Sequence, residues 1–322
     1  MDDGERMRRA IDLAWRVRTT ASPNPWVGAV VEPGDHGGAT QPPGEHHAER
    51  VALAAAGLDA KGGTLYVTLE PCCHHGRTPP CTDAIIDAGV ARVVVGLEDP
   101  DPLVAGKGIA TLRAAGIHVD LGVGSDEVER QLAPYLKHRR TGRPWVVLKL
   151  AATIDGRTAA PDGTSQWITG EEARADAHRL RAESDAVLVG AGTVRADDPS
   201  LTVRHVDGPD PMRVVLGRVP GGAKVEPAVA LSGDLGDVLD ELGRRNIVQV
   251  LVEGGATVAH GFHTARLVDR YVIYLAPTIM GGSDGRPLLA GAGAATIADA
   301  WRGRLVAMEQ LGNDIRVELE PV

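Results

Sequence analysis

The chain reads as two consecutive α/β domains, and three observations carry that reading. Its 322 residues suffice for two domains of ordinary size, and an apolar content of 43% supports a core in each. Short strand-like runs alternate with helical stretches along the sequence, the pattern of layered α/β units. A break at Thr141-Gly142-Arg143-Pro144 follows a helical segment. It places the first domain at 1–143 and the second at 144–322.

In the first half, residues 5–18 set Met7, Ala10, Ile11, Ala14, Trp15 and Val17 at mostly helical spacing, which predicts an amphipathic helix. Thr20-Ala21-Ser22-Pro23-Asn24-Pro25 ends it. Residues 27–31 are a short apolar strand, and 33–44 a Gly/Pro-rich loop with at most one short strand. Residues 48–56, rich in Ala, Val and Leu and stopped by Gly57, are a helix with His47 and Glu49 at its N-terminal turn. Strands follow at 64–69, 92–97 and 118–123, and helices at 83–88 and 109–115, stopped by Gly89 and Gly116. Residues 125–140 are a connecting helix. Its basic end, Lys137-His138-Arg139-Arg140, suits the negative end of the helix dipole and needs no nucleic acid to explain it.

In the second half, 145–152, 185–190, 248–252 and 271–276 are strands, and 171–183 is a helix with Thr169 as its cap. Residues 305–308 and 315–319, joined through Gly312-Asn313-Asp314, form a hairpin. Glu253-Gly254-Gly255-Ala256-Thr257 leads from a strand into a helix. Glycines there let the backbone approach a phosphate, and free N–H groups at a helix start bind anions; tight packing accounts for a Gly pair equally well. The run is not Gly-x-Gly-x-x-Gly, so a Rossmann domain is not supported.

Composition narrows the function classes. A net charge of -9 argues against a general nucleic-acid binder, and 3% aromatics leave few base-stacking platforms. Residues 1–18 alternate charged and apolar side chains, without the apolar core of a secretory signal, and no apolar run reaches membrane-spanning length. A soluble cytoplasmic protein is expected. The cysteines, Cys72, Cys73 and Cys81, share one short span, which is no disulfide framework and suits a metal in a reducing compartment.

The chemistry concentrates in His47-Ala48-Glu49, answered by Glu70-Pro71-Cys72 and Cys81. Zinc deaminases use a His-x-Glu followed by a Pro-Cys and a later Cys. One imidazole and two thiolates suit Zn²⁺ and leave a fourth position for water, whose pKa the metal lowers towards ~7. His47, Cys72 and Cys81 are therefore assigned as ligands of one Zn²⁺ per chain. Glu49 is assigned as the general acid/base, too close to His47 to replace it but placed to move protons beside the metal. His-Ala-Glu alone occurs by chance on many helices, and neighbouring cysteines are usually buried small hydrophobes. The combination, in this order and after a strand, carries the assignment.

Nucleic-acid and cytidine deaminases usually show Cys-x-x-Cys, whereas here Cys-His-His-Gly-Arg-Thr-Pro-Pro fills residues 73–80. The run Glu-Pro-Cys-x-His-x-Gly-Arg-Thr-Pro-Pro-Cys closely resembles the bifunctional riboflavin-biosynthesis family, a pyrimidine deaminase fused to a 5-amino-6-(5-phosphoribosylamino)uracil reductase. Pro23-Asn24-Pro25-Trp26-Val27-Gly28, Asp99-Pro100-Asp101-Pro102, Gly106-Lys107-Gly108 and the Gly/Thr/Asp-rich blocks of the second half extend the resemblance over nearly the whole chain. It implies a cytidine-deaminase-like α/β/α layered domain, then a dihydrofolate-reductase-like α/β domain. It implies hydrolytic deamination of 2,5-diamino-6-(5-phosphoribosylamino)pyrimidin-4(3H)-one. NADPH-dependent reduction of the ribosyl group to ribityl would follow, giving 5-amino-6-(5-phosphoribitylamino)uracil. The implied partners are these small molecules, with no nucleic acid and no membrane, and the implied assembly is a homo-oligomer.

Carried over residue by residue, the resemblance gives Asn24, His74 and Arg77 to the deaminase substrate. It gives Ala151, Trp167, Thr193, Asp197, Gly254 and Gly255 to NADPH. Ser165, Arg181, Leu201, Arg204 and Glu253 would hold the phosphoribosylamino substrate, with Lys149 beside it, an arginine pair suiting a sugar phosphate. From the residues alone, Asn24 reads as a turn former and Arg181 as a helix-surface charge. The resemblance makes Asp99 to Pro102 and Gly106 to Gly108 a loop at the site mouth, for which a plain Pro/Gly turn accounts equally well, and makes Cys73 a bystander, since relatives often carry serine there. The sequence departs from the family at Thr40, where relatives usually carry a histidine; His36 and His46 nearby read as solvated loop residues. Residues 205–247 match least. Two other readings are a nucleic-acid deaminase, which conflicts with the cysteine spacing and the acidic charge, and a nucleotide-binding scaffold with one decayed domain, hinted at only by Thr40.

Overall fold

The computed structural model describes residues 2–76 and 78–322. The chain falls into two compact units, 1–142 and 143–322. Among the described residues no helix is long and apolar enough to cross a membrane.

The first unit opens with helix α1 (Asp3–Arg16), capped reciprocally: Glu5 N–H donates to Asp2 Oδ1 and Asp2 N–H to Glu5 Oε2. The helix buries Met7, Ala10, Ile11 and Ala14 and ends one residue before Val17. Trp15, read from the sequence as one of its apolar positions, is half exposed. Then come β1 (Gly28–Glu32), β2 (His36–Ala39), α2 (Ala48–Ala56), β3 (Thr64–Leu69), α3 (Cys81–Asp87), β4 (Arg92–Leu97), α4 (Lys107–Ala114), β5 (His118–Leu121) and α5 (Ser125–Thr141). The sheet order is β2-β1-β3-β4-β5. β3, β4 and β5 run parallel, and β1 is antiparallel to both its neighbours.

Two glycines show how the layers close on this sheet. A Cβ on Gly28 would lie 1.9 Å from the Ala10 carbonyl oxygen in α1, and one on Gly38 would lie 2.4 Å from the Ala48 carbonyl oxygen in α2. Gly38 pairs with Ala29, the residue after Gly28, and successive strand residues face opposite sides. α1 and α2 therefore cover opposite faces, which makes an α/β/α sandwich. His36, read as a solvated loop residue, instead lies in β2, with its Nε2 3.1 Å from Asp59 Oδ2.

The second unit contains β6 (Trp145–Thr153), β7 (Arg157–Ala159), α6 (Glu171–Ala182), β8 (Ala186–Gly190), α7 (Ala191–Asp197), β9 (Met212–Leu216), β10 (Val229–Leu231) and α8 (Leu235–Arg244). β11 (Gln249–Val252), α9 (Ala256–Thr264), β12 (Arg270–Ala276), β13 (Arg286–Pro287), β14 (Gly303–Leu311) and β15 (Asp314–Pro321) complete it. Its main sheet runs β10-β9-β8-β11-β6-β12-β15-β14. The first six strands in that order are parallel, and β15 and β14 continue it antiparallel as the expected hairpin. β6 alternates across the sheet. Val146, Leu148 and Leu150 pack with Leu239, Leu242 and Phe262 on one face, and Val147 with Leu180, Leu251 and Tyr274 on the other.

The sequence reading misses several elements here. Residues 205–247 hold β9, β10 and α8, and 191–197, read as a loop, form α7. Thr169 is not the cap of α6: Gly170 occupies that position and its N–H donates to Asp314 Oδ2 at 2.7 Å.

Candidate active sites

In the first unit, the three candidate metal ligands come from three chain segments that end at one point. His47 is the N-cap of α2, with extended backbone (φ −76°, ψ 162°). Cys72 follows β3 across Glu70 and Pro71, and Cys81 is the first residue of α3. The intervening linker closes on itself: Cys81 N–H donates to Cys72 Sγ at 3.4 Å and Thr82 N–H to the Cys72 carbonyl at 3.2 Å. His47 Nδ1 lies 3.5 Å from each sulfur, and the three donor atoms lie within 4.8 Å of one another. Tetrahedral Zn²⁺, with bonds of about 2.3 Å to sulfur and 2.0–2.1 Å to nitrogen, puts N and S about 3.5 Å apart. Donor set and spacing thus fit that ion.

The electrostatics fit as well. The neighbouring Cys81 holds the Cys72 thiol well below the ordinary thiol range against the effect of burial, and Cys72 together with burial pushes Cys81 up. The contact with Cys72 raises the His47 imidazole despite its burial. Glu49 is 4% exposed, and burial pushes its carboxyl up to about 7. A carboxyl in that state can both hold and release a proton near neutrality.

A cavity of about 260 Å³ opens beside these groups, lined by His47, Glu49 and Cys72 together with Asn24, Thr40, His74, Asp99, Asp101, Tyr135 and Arg139. Asn24 and His74 therefore lie where the sequence reading put them, and His74 Nδ1 is buried without a hydrogen-bond partner. Arg77 lies outside the described residues. Cys73 turns its sulfur towards the Leu103 carbonyl at 3.8 Å and is not one of the three clustered donors. Thr40 is buried, and its hydroxyl accepts from Val27 N–H at 3.0 Å. The departure from the family pattern is thus a side chain bonded to the Val27 backbone, just before β1.

The Asp99–Pro102 loop reaches the cavity because Glu70 fastens it. This buried carboxylate accepts from Asp99 N–H, Gly106 N–H and Ile109 N–H at 3.2, 2.9 and 3.0 Å. Gly108 is required in the same stretch, since a Cβ there would lie 2.1 Å from the Pro71 carbonyl oxygen. Asp99 in turn accepts from the Tyr135 hydroxyl at 3.2 Å and from Asp101 N–H at 2.9 Å, and burial pushes it up to about 6. Tyr135 and Arg139 carry no motif. Only the i, i+4 spacing along a helix relates them in sequence.

The second unit has a wider cavity of about 940 Å³, lined in part by residues in β6, at the end of β8 and after β8 and β11. In open parallel sheets, ligands bind at the carboxyl ends of strands where the strand order reverses. Lys149, Ala151, Ser165, Trp167, Thr193, Asp197, Glu253, Gly254 and Gly255 all line it. Gly255 N–H, at the cap of α9, donates to Thr193 Oγ1 at 3.1 Å and ties two of these segments together. Trp167 is 71% exposed, with the Arg174 guanidinium 4.8 Å from its ring centroid.

Arg181, Leu201 and Arg204 do not line this cavity. Arg181 is no surface charge: its side chain is 13% exposed and its fork closes on Glu253, Nε to Oε1 at 2.5 Å and Nη2 to Oε2 at 3.0 Å. Its Nη1 donates to the Thr202 carbonyl. The geometry that sequence reading reserved for a sugar phosphate is thus occupied by a carboxylate. Burial would raise Glu253, but Arg181 and Lys149 outweigh it and hold its carboxyl below the usual range. Lys149 Nζ stands 3.9 Å from Glu253 Oε2, and burial lowers its pKa. Leu201 is buried with φ +54°. Arg204 is exposed and reaches the Ser200 and Thr202 hydroxyls, while its N–H donates to His178 Nδ1 at 2.9 Å.

Comparison with known proteins gives a consistent set of likenesses. The family described as cytidine and deoxycytidylate deaminase zinc-binding region matches residues 1–97, and the RibD C-terminal domain matches residues 144–317. The riboflavin biosynthesis protein RibD of Escherichia coli (strain K12) is 40% identical, over 99% of this chain and 99% of that protein. A structure of Acinetobacter baumannii RibD (form 1) superposes with a TM-score of 0.94 at 40% identity, covering 99% of both chains. A Thermotoga maritima structure does so with a TM-score of 0.92 at 35% identity, again over 99% of both. That protein is described as a diaminohydroxyphosphoribosylaminopyrimidine deaminase/5-amino-6-(5-phosphoribosylamino)uracil reductase.

Proposed function

This chain belongs to the RibD family of riboflavin-biosynthesis enzymes, and from that premise we propose that its two cavities carry two successive reactions on one substrate. The protein is a zinc-dependent deaminase joined to an NADPH-dependent reductase. The substrate is 2,5-diamino-6-(5-phosphoribosylamino)pyrimidin-4(3H)-one, the first product its deaminated uracil, and the second 5-amino-6-(5-phosphoribitylamino)uracil.

In the first cavity His47, Cys72 and Cys81 would hold Zn²⁺, which supplies an acidified water at neutral pH. Asn24 orients the pyrimidine ring by hydrogen bonding, and His74 adds a second polar contact. Glu49 carries the proton traffic: its carboxylate takes a proton from the attacking water and gives it to the ring nitrogen next to the amino-bearing carbon, then takes the second proton of that water and gives it to the amino group, which departs as ammonia while the carbonyl forms. Burial suits it to this work, since a carboxyl titrating near neutrality is balanced between taking and giving.

In the second cavity Ala151, Trp167, Thr193, Asp197, Gly254 and Gly255 would hold NADPH, which supplies hydride to ribosyl C1′. Lys149 donates the matching proton to the sugar oxygen released as the ring opens, and Glu253 fixes the lysine in place. Ser165 contacts the substrate from the other side. Arg204, on an exposed loop, is the cation for its phosphate, with Leu201 holding the loop down. A homo-oligomer working in the cytoplasm is part of the same reading.

The observation that carries this proposal is the approach of His47 Nδ1 to within 3.5 Å of both Cys72 and Cys81, with buried Glu49 beside it. Metal content and ammonia release from the diamino substrate test it. Cys72→Ser should lose both, and Cys73→Ser should keep both. Full zinc occupancy in Cys72→Ser would remove the ligand assignment.

A further inference from the structure

The deaminase cavity is acidic. Glu45, Glu49, Glu70, Asp99 and Asp101 line it, and Arg139 is the one arginine or lysine among its described lining residues. Two of those carboxylates are already satisfied internally, Glu70 by three backbone N–H groups and Asp99 by Tyr135 and Asp101 N–H. A substrate bearing a phosphate dianion would meet repulsion here unless a cation receives it.

Arg139 has the setting of such a receiver. It lies one turn after Tyr135 on α5, with its guanidinium carbon 5.1 Å from that ring's centroid. The tyrosine is itself fixed by its bond to buried Asp99. Arg139 Nε is buried and makes no hydrogen bond. Its nearest counter-ion is Asp101 Oδ2 at 3.5 Å, beyond good hydrogen-bond length. The Asp101 side chain is committed elsewhere, since its Oδ1 accepts from Leu103 N–H at 3.0 Å. The guanidinium is thus held in place from the side and balanced by a loose carboxylate. A phosphate oxygen can displace that partner at little cost, because guanidinium–phosphate pairs are short, planar and charge-assisted.

We propose that Arg139 binds the 5-phosphate of the deaminase substrate and so sets the preference of this cavity for the phosphorylated over the dephosphorylated pyrimidine. The proposal rests on the deaminase reading above. It assigns Arg139 to substrate binding and not to the bond-breaking step, so its signature is in KM rather than kcat.

The test uses the full-length, zinc-loaded protein and two substrates, the diamino phosphoribosyl compound and the corresponding riboside without phosphate. For Arg139→Ala, KM for ammonia release from the phosphorylated substrate should rise about 10- to 100-fold, as expected for a lost hydrogen bond to a charged group, with kcat little changed. KM for the riboside should stay within about 3-fold, and Arg139→Lys should recover part of the loss. Ribose 5-phosphate should inhibit the unmodified protein competitively and Arg139→Ala much more weakly. Zinc content and NADPH oxidation with the deaminated substrate report intact folding; if Arg139→Ala loses either, Arg139→Gln supplies the same comparison with a longer neutral side chain. Equal losses on both substrates, or an unchanged KM for the phosphorylated one, would overturn the proposal. Failure of the unmodified protein to release ammonia from either substrate would instead reject the deaminase reading.

Discussion

The two cavities are built by opposite means. The deaminase cavity is small, about 260 Å³, and its reactive groups lie between His47 and Cys81, where two helix starts and one strand end meet. The reductase cavity is about 940 Å³, and its wall carries Lys149 of β6 and Glu253 of the turn after β11, with Arg181 of α6 closed on Glu253 from outside the lining. The first gathers a donor set that suits a metal. The second is held by an ion pair that the protein supplies itself. Removing one group should therefore cost the first site its chemistry and the second its fold.

The largest expected effect is on the second unit. Arg181→Met leaves the Glu253 carboxylate buried with Lys149, 3.9 Å away, as its remaining ion-pair partner among the described residues, and breaking such a pair costs about 3–5 kcal/mol. Urea unfolding followed by tryptophan fluorescence and NADPH oxidation should show the second unit weakened by that amount, with ammonia release intact. A loss below about 1 kcal/mol would mean that the ion pair does not hold this site, and the contrast would collapse.

Glu49→Gln sharpens the other side. Ammonia release should fall at least ~10²-fold, the lower range for a positioned acid/base, while zinc content stays full. NADPH oxidation with the already deaminated substrate should not change. Near-normal ammonia release would take Glu49 out of the reaction.

The smallest effect is a difference in sign. Burial pushes Asp99 up to about 6 in the first unit and His178 down to about 4 in the second. Asp99 titrates higher folded than unfolded, so its contribution to stability declines as pH rises from about 4 through 6. His178 titrates lower folded than unfolded. Its contribution is full above about 6.5 and is lost as pH falls towards 4, when Nδ1 can no longer accept from Arg204 N–H. Hydrogen exchange of each unit between pH 6.5 and 4 should show these terms opposed. Asp99→Asn should flatten the first and His178→Gln the second; slopes that the substitutions leave unchanged would discount both groups.

Legibility in the sequence followed the same divide. Residues 64–69 and 92–97 were readable to their ends because an apolar run bounded by glycines or charges has few other folds open to it. The zinc candidates were readable because the His-x-Glu, Pro-Cys and later Cys pattern combines an imidazole with two thiolates, a set that suits Zn²⁺, and the structure brings those three donors within 4.8 Å of one another. The Arg181–Glu253 pair was not readable, since its partners are 72 residues apart and Arg181 looks like an ordinary helix-surface charge. Arg139 was hidden in a basic helix end that the dipole already explains. α8 was missed although its signal is local: Asp234 caps it, and Val238, Leu239 and Leu242 form its buried stripe. Residues 205–247 match the family least, and the sequence reading assigns no element there.

The three backbone hydrogen bonds accepted by Glu70 have a consequence for redesign. The carboxylate sits immediately before Pro71 and Cys72, so it fastens the Asp99–Ile109 segment to the same strand end that delivers a candidate metal ligand. Residues 100–105 lie between the anchored N–H groups of Asp99 and Gly106. They form a segment with fixed ends, and substitutions at Asp101 and Val104, which line the cavity, should change its wall while the donor triangle of His47, Cys72 and Cys81 keeps its shape.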